Sequence, residues 1–295
     1  MSWEDTFVSW TQGPGKTEEE KCQNAETSVK KAIAANDELA KMDVTVFTQG
    51  SYLARTNVRI ESDVDLCVRL NSAAFCEYPE GKTDKDYGLV NSSTTFAYFK
   101  NLVGNALTSY FGAKSVKRGK KAFDVKATAQ RVDADVLPAF EHRRYVSNEA
   151  WQYHQGIAFK TDDGRLIKNW PEQNYQNGVE KNDHTSRVYK RVVRIVKRLR
   201  NKMEDDEIVA ARDSPSYLIE CLVWNVPNEG FNHRTHSADV RYVLAHTFDA
   251  TLNDERCNEW GEINELKYLF RQSQPWTRQQ AHSLLSAAWD YVDFE

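Results

Sequence analysis

The sequence predicts an α+β protein in which a lobe built on a small mixed β-sheet is followed by a helical lobe. Two observations support this. In the first half of the 295 residues, short strand patterns occur between helical ones, and residues 63–70 alternate cleanly between apolar and polar positions. After about residue 150, apolar residues recur with helical spacing and prolines separate the helical patterns. We therefore predict a sheet-bearing lobe of residues 1–150 and a helical lobe of residues 151–295.

The first lobe begins with a long helix over residues 17–41, which is placed to brace both lobes. Thr17 and Glu20 form a capping-box pattern at its start. Strands are predicted at 44–48 and 63–70, and the second alternates cleanly between apolar and polar positions. The polar positions, which include two aspartates at the start of the strand, therefore share one face.

A helix over residues 92–111 and two strands, near 122–127 and 131–137, complete the first lobe. Such a strand pair forms a hairpin, and a cluster of basic residues lies directly before it. These residues are Lys114, Lys117, Arg118, Lys120 and Lys121. The cluster is typical of a solvated hairpin face, and a nucleic-acid contact is the alternative.

The second lobe consists of four predicted helices. They cover residues 184–202, 214–226, 236–252 and 277–292. Prolines mark the connections, because proline cannot donate the hydrogen bond that continues a helix. The chain shows no internal repeat and no low-complexity linker.

Composition and charge exclude several classes of protein. No apolar run approaches the roughly 20 residues of a membrane span, and the first residues lack the basic and apolar regions of a signal peptide. The five cysteines form no CxxC pair and lack zinc-site spacing, which indicates free thiols in a reducing compartment. The net charge of −4 argues against a general affinity for nucleic acids. We expect a soluble cytoplasmic protein with no membrane partner and no obligatory nucleic-acid ligand.

Two short motifs on consecutive strands carry the candidate chemistry. Gln49, Gly50 and Ser51 end the first predicted strand, and a Gly-Ser turn can hold a triphosphate through backbone amides and a hydroxyl. Asp63 and Asp65 open the next strand, where their spacing of two residues places both carboxylates on one face. Carboxylates in this arrangement can share Mg²⁺ with the phosphate oxygens of a nucleotide.

A third carboxylate is needed to complete a metal site near an attacking hydroxyl. The strand near 131–137 supplies Asp133 and Asp135, which share a face, and the spacing alone does not choose between them. A Gly-Ser strand end, an Asp-x-Asp strand and a later aspartate strand together predict a metal-dependent nucleotidyltransferase.

These motifs resemble those of a known superfamily. The stretch from Gly50-Ser51 to Asp63-Val64-Asp65 resembles the signature of the polymerase-β-like nucleotidyltransferases. Residues 135–140 are similar to the third-aspartate segment of 2′-5′ oligoadenylate synthetases and of their bacterial relatives, the CD-NTases. This similarity implies that Asp135 is the third metal carboxylate. The resemblance covers residues 40–230 and is strongest for the bacterial CD-NTases, which make cyclic di- or trinucleotide signals in antiphage defence (CBASS).

The resemblance implies a polymerase-β-like core, two Mg²⁺ ions for which Mn²⁺ can substitute, and nucleoside triphosphates such as ATP and UTP as substrates. It also implies triphosphate contacts from Lys190 and Lys197 in the helix 184–202. Arg194, on the same stripe, is either a phosphate contact or part of a solvated face. The implied nucleotide-binding residues are Gln49, Gly50, Ser51, Asn169, Lys190, Arg194, Lys197, Ser216 and Tyr217.

Two of these residues are candidates for contact with a base. In clade E of the CD-NTases an asparagine in the lid reads uracil, and Asn169 matches it, with Asn174 and Asn177 as alternatives. Tyr217 either stacks on a base or belongs to the core. A match at Asn169 implies a product that contains a pyrimidine.

We therefore predict an enzyme that condenses nucleoside triphosphates into a cyclic dinucleotide and releases pyrophosphate. A downstream effector would bind the product rather than this protein, and accessory proteins of CBASS are the expected partners. The alternatives are a linear oligonucleotide synthetase, a single-step nucleotidyltransferase acting on RNA or protein, and a non-catalytic nucleotide-binding protein that has kept the fold.

Overall fold

The computed structural model describes residues 2–58, 63–90, 92–212 and 214–294. The chain forms two compact units, neither of which is continuous in sequence. The helical unit consists of Met1–Pro14, Ala54–Val58 and Gln173–Glu295, and the sheet unit consists of Gly15–Leu53 and Arg59–Glu172. Each unit has its own hydrophobic core.

The helices and strands have the following bounds. The α-helices are α1 (Trp3–Trp10), α2 (Lys16–Ala34), α3 (Gly50–Ala54), α4 (Phe96–Phe111), α5 (Pro171–His184), α6 (Tyr189–Asp205), α7 (Val209–Arg212), α8 (Ser216–Trp224), α9 (His236–Ala250), α10 (Asp254–Cys257) and α11 (Arg278–Tyr291). The strands are β1 (Val44–Gln49), β2 (Val64–Glu77), β3 (Val116–Arg118), β4 (Phe123–Val125), β5 (Ala134–Tyr145), β6 (Tyr153–Lys160) and β7 (Leu166–Asn169).

The sheet unit is built on one mixed sheet of seven strands. Strands β1, β2, β5, β4 and β3 are neighbours in that order, and β6 pairs with both β5 and β7. The pair β2 and β5 is parallel, whereas the other pairs are antiparallel. Parallel strands need a crossover connection, and the chain between β2 and β5 contains α4. The predicted α+β class with a mixed sheet is confirmed.

The alternation predicted for the second strand produces one fully buried face. Val64, Leu66 and Val68 of β2 are each 0% exposed. They belong to a core that also contains Val29 of α2 and Phe99 of α4. Burial of each such side chain stabilises the fold by about 1.5–3 kcal/mol. The sheet that carries the aspartates is therefore anchored from its apolar side.

The core of the helical unit is centred on α6. Val192, Ile195 and Leu199 recur at helical spacing and are each 0% exposed. They pack in one cluster with Leu218 of α8 and Leu284 of α11. The predicted apolar side of this helix is confirmed.

The division into units differs from the boundary predicted at residue 150. Strands β6 and β7 continue the sheet beyond that residue, and the helical unit resumes only at Gln173. Four consecutive residues of β6 are buried, so this strand lacks the alternation that would have revealed it. They are Gly156, Ile157, Ala158 and Phe159.

The start of the chain also differs from the prediction. The helix predicted at 17–41 ends at Ala34, and a short 3₁₀ turn follows at Leu39–Lys41. The N-cap of α2 is Gly15, so the prediction of a capping box that begins at Thr17 is wrong. An additional helix, α1, precedes it and lies in the helical unit.

Among the described residues, no helix combines the length and the apolar character that a membrane span requires. All five cysteines are free thiols, of which four are buried and Cys76 is half-buried. The prediction of unpaired cysteines is confirmed.

Candidate active site

Side chains from four adjacent strands form a row across the sheet of the sheet unit. Gln49 of β1 pairs with Asp65 of β2, and Asp65 pairs with Asp135 of β5. Asp135 pairs in turn with Asp124 of β4. Residues that are directly opposite on neighbouring strands point to the same face of the sheet. Three carboxylates and one amide therefore lie side by side on one face.

Asp63 adds a further carboxylate to this row. It lies directly before β2 and two residues before Asp65, which places it toward the same face. Partial desolvation raises the pKa of Asp63, and the nearby charges of Asp133 and Asp124 raise it further. The predicted pair Asp63 and Asp65 thus lies within a concentration of negative charge.

Asp135 lies at the centre of this charge. Burial raises the pKa of its carboxyl to about 6, with further contributions from the charges of Asp63 and Asp124 and from a hydrogen bond with Asp124. Such crowding is unfavourable when every carboxyl is ionised. A bound divalent cation would remove the repulsion, because its charge stabilises the ionised form of each carboxylate.

The donor set fits Mg²⁺, which prefers hard oxygen ligands and takes only one or two carboxylates per ion. Asp63, Asp65 and Asp135 would supply these oxygens. In the parts of the chain that the structure describes, no three acidic, histidine or cysteine side chains are arranged to hold a metal ion as they stand. The carboxylates are thus grouped by strand register rather than by convergence on a single point.

The structure distinguishes the two aspartates between which the spacing did not choose. Asp133 accepts a hydrogen bond from the backbone N–H of Ala127 at 2.6 Å, so its carboxylate stabilises the turn before β5. Asp135 lies opposite Asp65 in the parallel pair. This geometry favours Asp135 as the third carboxylate, in agreement with the resemblance.

Sequence reasoning missed Asp124. It lies between Phe123 and Val125, which are 3% and 1% exposed, while Asp124 itself is exposed. This alternation within a predicted strand could have identified it. On its other side Asp124 pairs with Lys117 of β3, whose ammonium lies 4.0 Å from the carboxylate. The row of polar residues therefore ends in a cation at the sheet edge.

Gly50 directly follows β1 and has a left-handed backbone, with φ of +70°. A Cβ at this position would lie 3.0 Å from Cγ of Asp65 and closer still to its Oδ2. Glycine is therefore required here both for the backbone conformation and for the space that Asp65 occupies. Ser51, the next residue, is half-buried in α3. The predicted Gly-Ser turn and the Asp-x-Asp strand are thus in direct proximity.

Among the predicted phosphate contacts of the helical unit, Lys197 is 2% exposed. Its ammonium donates to Oε1 of Glu220 at 2.8 Å and to the carbonyl of Thr56 at 3.0 Å. Both partners belong to the helical unit. These contacts give Lys197 a structural role and do not support the predicted contact with a triphosphate.

Arg194 is also engaged within the helical unit. Its guanidinium donates to the carbonyls of Thr11 and Arg55, at 2.7 and 2.6 Å. These contacts link α6 to two other chain segments of the helical unit, and a phosphate contact of Arg194 stays a prediction. Lys190 is half-buried with its ammonium 5.8 Å from the ring centroid of Tyr175. Burial lowers the pKa of Lys190. A contact between Lys190 and a phosphate stays a prediction.

Ser216 and Tyr217, the other predicted nucleotide-binding residues of the helical unit, lie at the start of α8. Ser216 accepts a hydrogen bond from Nη2 of Arg200 at 2.7 Å. The Tyr217 hydroxyl donates to Oδ1 of Asn174 at 3.0 Å and lies 3.1 Å from Oε2 of Glu262. The phenol is thus anchored inside the helical unit, which favours the core alternative for Tyr217.

The three candidate asparagines lie in different surroundings. Asn174 accepts from Tyr217, and Asn177 donates to the carbonyl of Ile263 at 2.7 Å, so both amides stabilise the helical unit. Asn169 is the last residue of β7 in the sheet unit and is half-buried. Asn169 is therefore better placed than the two alternatives to contact a ligand of the sheet unit.

Comparison with known proteins identifies the second part of the chain. Residues 176–293 match the family model of the cGAS/DncV-like nucleotidyltransferase C-terminal helical domain, CD_NTase_C. This region corresponds to most of the helical unit, from α5 to α11.

Whole-chain comparisons agree with the family model. The chain is 42% identical to the cyclic dipyrimidine nucleotide synthase CdnE of Legionella pneumophila, over 99% of this chain and 98% of that protein. It is 38% identical to the cyclic dipyrimidine nucleotide synthase CdnE of Cecembia lonarensis, with the same coverage. A solved structure, the Elizabethkingia meningoseptica CdnE cyclic dinucleotide synthase with GTP and Apcpp, is 34% identical and superposes with a TM-score of 0.81, covering 99% of both chains.

Proposed function

The chain belongs to the CD-NTase family and is a nucleotidyltransferase that makes cyclic dinucleotides from nucleoside triphosphates, and we propose that its product contains at least one pyrimidine. The observation that carries the catalytic part is the register that places Asp65 directly opposite Asp135. With Asp63 next to them, these carboxylates provide the oxygen ligands that phosphate transfer requires. Most of the helical unit matches the C-terminal helical domain of the same family.

The pyrimidine preference has two supports. Both relatives at 42% and 38% identity are named cyclic dipyrimidine nucleotide synthases. The half-buried Asn169 offers an amide that can both donate and accept, which matches the donor and acceptor on the edge of uracil. A site that hydrogen-bonds the base discriminates strongly against bases that leave its polar groups unpaired.

The cofactor is proposed to be two Mg²⁺ ions, with Mn²⁺ able to substitute. When bound, such ions stabilise the negative charge on the attacking and leaving oxygens of an in-line displacement. Asp63 and Asp65 would hold both ions, and Asp135 would hold the ion nearer the acceptor.

The chain's own residues then have distinct tasks. The turn at Gly50 brings the backbone close to the triphosphate of the donor, and the hydroxyl of Ser51 donates a hydrogen bond to it. The Asp135 carboxylate lies beside the acceptor and assists removal of the proton from its 2′ or 3′ hydroxyl. That oxygen forms a bond to the α-phosphorus of the donor, and the bond from the α-phosphorus to the bridging oxygen breaks, so that pyrophosphate leaves. A second such transfer closes the ring.

We place this activity in the cytoplasm, within the antiphage defence that the resemblance implies. The cyclic product, rather than the protein, would be recognised by a downstream effector. Unpaired cysteines are consistent with a reducing compartment.

Release of pyrophosphate tests the catalytic assignment. We expect purified protein to release pyrophosphate from nucleoside triphosphates with Mg²⁺ or Mn²⁺, and to stop when the metal is chelated. D65N should reduce the rate by about a thousandfold or more, because a metal ligand is lost. D43N is the matched control, since Asp43 lies before the opposite end of β1. An active D65N protein would contradict the assignment.

A further inference from the structure

The segment Ala54–Val58 belongs to the helical unit, although the chain on both sides of it belongs to the sheet unit. It lies in the sequence between Ser51, at the Gly-Ser turn, and Asp63, at the start of the metal-binding strand. Both motifs of the candidate active site are therefore joined covalently to a short segment that the helical unit holds.

Two side chains of the helical unit hold Thr56 of this segment. Its hydroxyl donates to Oε2 of Glu220 at 2.8 Å, and its carbonyl accepts from the Lys197 ammonium at 3.0 Å. Lys197 and Glu220 also pair with each other at 2.8 Å. The three residues are 2%, 2% and 5% exposed, in the order Thr56, Lys197, Glu220. We call this closed triangle of contacts the Thr56 clamp.

The neighbouring residue is held as well. The Arg55 carbonyl accepts from Nη1 of Arg194, whose Nε donates to the carbonyl of Thr11. Arg55 has a φ of 55°, in the left-handed region that is unfavourable for residues other than glycine. Such a conformation persists where surrounding contacts determine it. Successive carbonyls of the segment are thus bound by two cations of α6.

A buried ion pair is weak evidence for stability, because apolar residues of similar size often stabilise a core as well or better. The Thr56 clamp does something that apolar residues could not do. It fixes the position and direction of one backbone carbonyl and one hydroxyl through three mutually oriented hydrogen bonds. The contacts are therefore suited to positioning the chain rather than to filling space.

The Gly-Ser turn is close to the held segment along the chain. Helix α3 runs from Gly50 to Ala54, so that Ser51 and the held segment are connected by one continuous helical turn. Within such a turn the backbone hydrogen bonds leave little freedom between the first and last residues. Arg55 and Thr56 follow this helix directly in the chain, and Gly50 at its start has little room beside Asp65.

We propose that Thr56, held by Lys197 and Glu220, is a positioning residue for the donor triphosphate and acts through the Gly-Ser turn. The inference rests on the proposed function and reassigns Lys197 from a phosphate ligand to a group that orients the phosphate-binding turn. Substitutions in the clamp should weaken donor binding although none of its residues touches the nucleotide.

The experiment compares T56V with T56S in the full chain. Valine keeps the shape of threonine and removes the hydroxyl, whereas serine keeps the hydroxyl. The matched control is T247V, since Thr247 is another buried threonine of the helical unit, 0% exposed, whose hydroxyl donates to Val243 at 2.7 Å. The readouts are the Kd of a non-hydrolysable triphosphate analogue, KM, kcat and Tm.

We expect T56V to raise Kd and KM together by about tenfold, with kcat changed by less than about threefold. T56S and T247V should stay within about twofold of the parent in Kd, even where T247V lowers Tm as much as T56V does. Binding by T56V equal to that of the parent, or equal weakening by T247V, would overturn the inference.

A second variant guards against failure of T56V to fold. In K197M/E220L, apolar side chains replace both charges, which such cores often tolerate. K197M/E220L should keep the helical circular dichroism of the parent and show the same loss of analogue affinity as T56V. An affinity equal to that of the parent would contradict the proposed role of the Thr56 clamp. If the parent itself neither binds the analogue nor forms product, the proposed function fails and this inference falls with it, whereas an active parent with unaffected clamp variants sinks only the inference.

Discussion

Gly50 lies so close to the Asp65 side chain that only glycine fits at residue 50. A Cβ at residue 50 would lie 3.0 Å from Cγ of Asp65, with Oδ2 nearer still. The two residues come from different motifs, the Gly-Ser turn and the Asp-x-Asp strand, and β1 and β2 bring them together. The turn that would bind the triphosphate and a carboxylate that would bind the metal are therefore adjusted to each other.

The first prediction concerns this contact. G50A should displace the Asp65 carboxylate and reduce nucleotidyl transfer by at least about a hundredfold. The matched control is G81A, because Gly81 also has a left-handed backbone, with φ of +76°, but nothing within 4 Å of an added Cβ. In both variants an alanine takes a left-handed backbone conformation, which costs about 1–2 kcal/mol. Equal activity losses in the two variants would show that backbone strain, rather than Asp65, matters.

The second prediction concerns the stability of the metal-free protein. Burial and neighbouring charges raise the pKa of Asp135 to about 6, from the ordinary value of 3.8 for an aspartate. The folded state therefore binds more protons than the unfolded state between those pH values, and the stability falls as pH rises through this window. At pH 7, D135N should be more stable than the parent by about 1–3 kcal/mol.

Thermal or urea unfolding at pH 7 and pH 4 measures this difference. The advantage of D135N should nearly vanish at pH 4, where Asp135 of the parent is largely protonated. Added Mg²⁺ should raise the Tm of the parent and raise that of D135N less. A D135N variant that is less stable than the parent at both pH values would contradict the crowding of charge at this position.

The third prediction concerns Asp124, which lies opposite Asp135. D124N removes one negative charge next to the proposed ligands, so it should weaken Mn²⁺ binding by about three- to tenfold. Electron paramagnetic resonance of free Mn²⁺ measures this without reference to activity. D43N should leave the affinity unchanged, because exposed charges more than about 10 Å apart are largely screened at 0.1 M salt. Similar effects of both variants would point to net charge alone.

The fourth prediction concerns base selection. N169A removes an amide that is proposed to bind uracil, so the ratio of kcat/KM for UTP to that for ATP should fall by about tenfold. N177A is the control, since the Asn177 amide is bound to Ile263 within the helical unit. An unchanged ratio in N169A would remove Asn169 from base recognition while leaving the catalytic assignment intact.

Local sequence patterns place Asp65 and Asp135 correctly on polar faces of strands, because strand alternation has a period of two residues. They do not predict that β2 and β5 are parallel neighbours, with Asp65 directly opposite Asp135. That pairing depends on the tertiary packing of segments that are distant in sequence. Strand alternation could also have placed Asp124 on a polar face, but its position opposite Asp135 depends on tertiary pairing.

Lys197 illustrates a different limit. Its spacing from Lys190 and Arg194 predicts one shared stripe of cations, and the family resemblance implies that Lys190 and Lys197 contact phosphates. The structure instead buries Lys197 against Glu220 and Thr56, which come from distant parts of the chain. A helical pattern identifies which residues share a stripe, whereas the partners of that stripe are determined by tertiary contacts.

Identification of the product tests the central claim most directly. Purified protein would be incubated with Mg²⁺ and each pair of labelled nucleoside triphosphates, and the products treated with phosphatase and identified by mass. We predict a phosphatase-resistant cyclic dinucleotide that contains a pyrimidine, formed by the parent and not by D63N/D65N. A phosphatase-sensitive ladder of linear products, or a cyclic product made only of purines, would contradict the account.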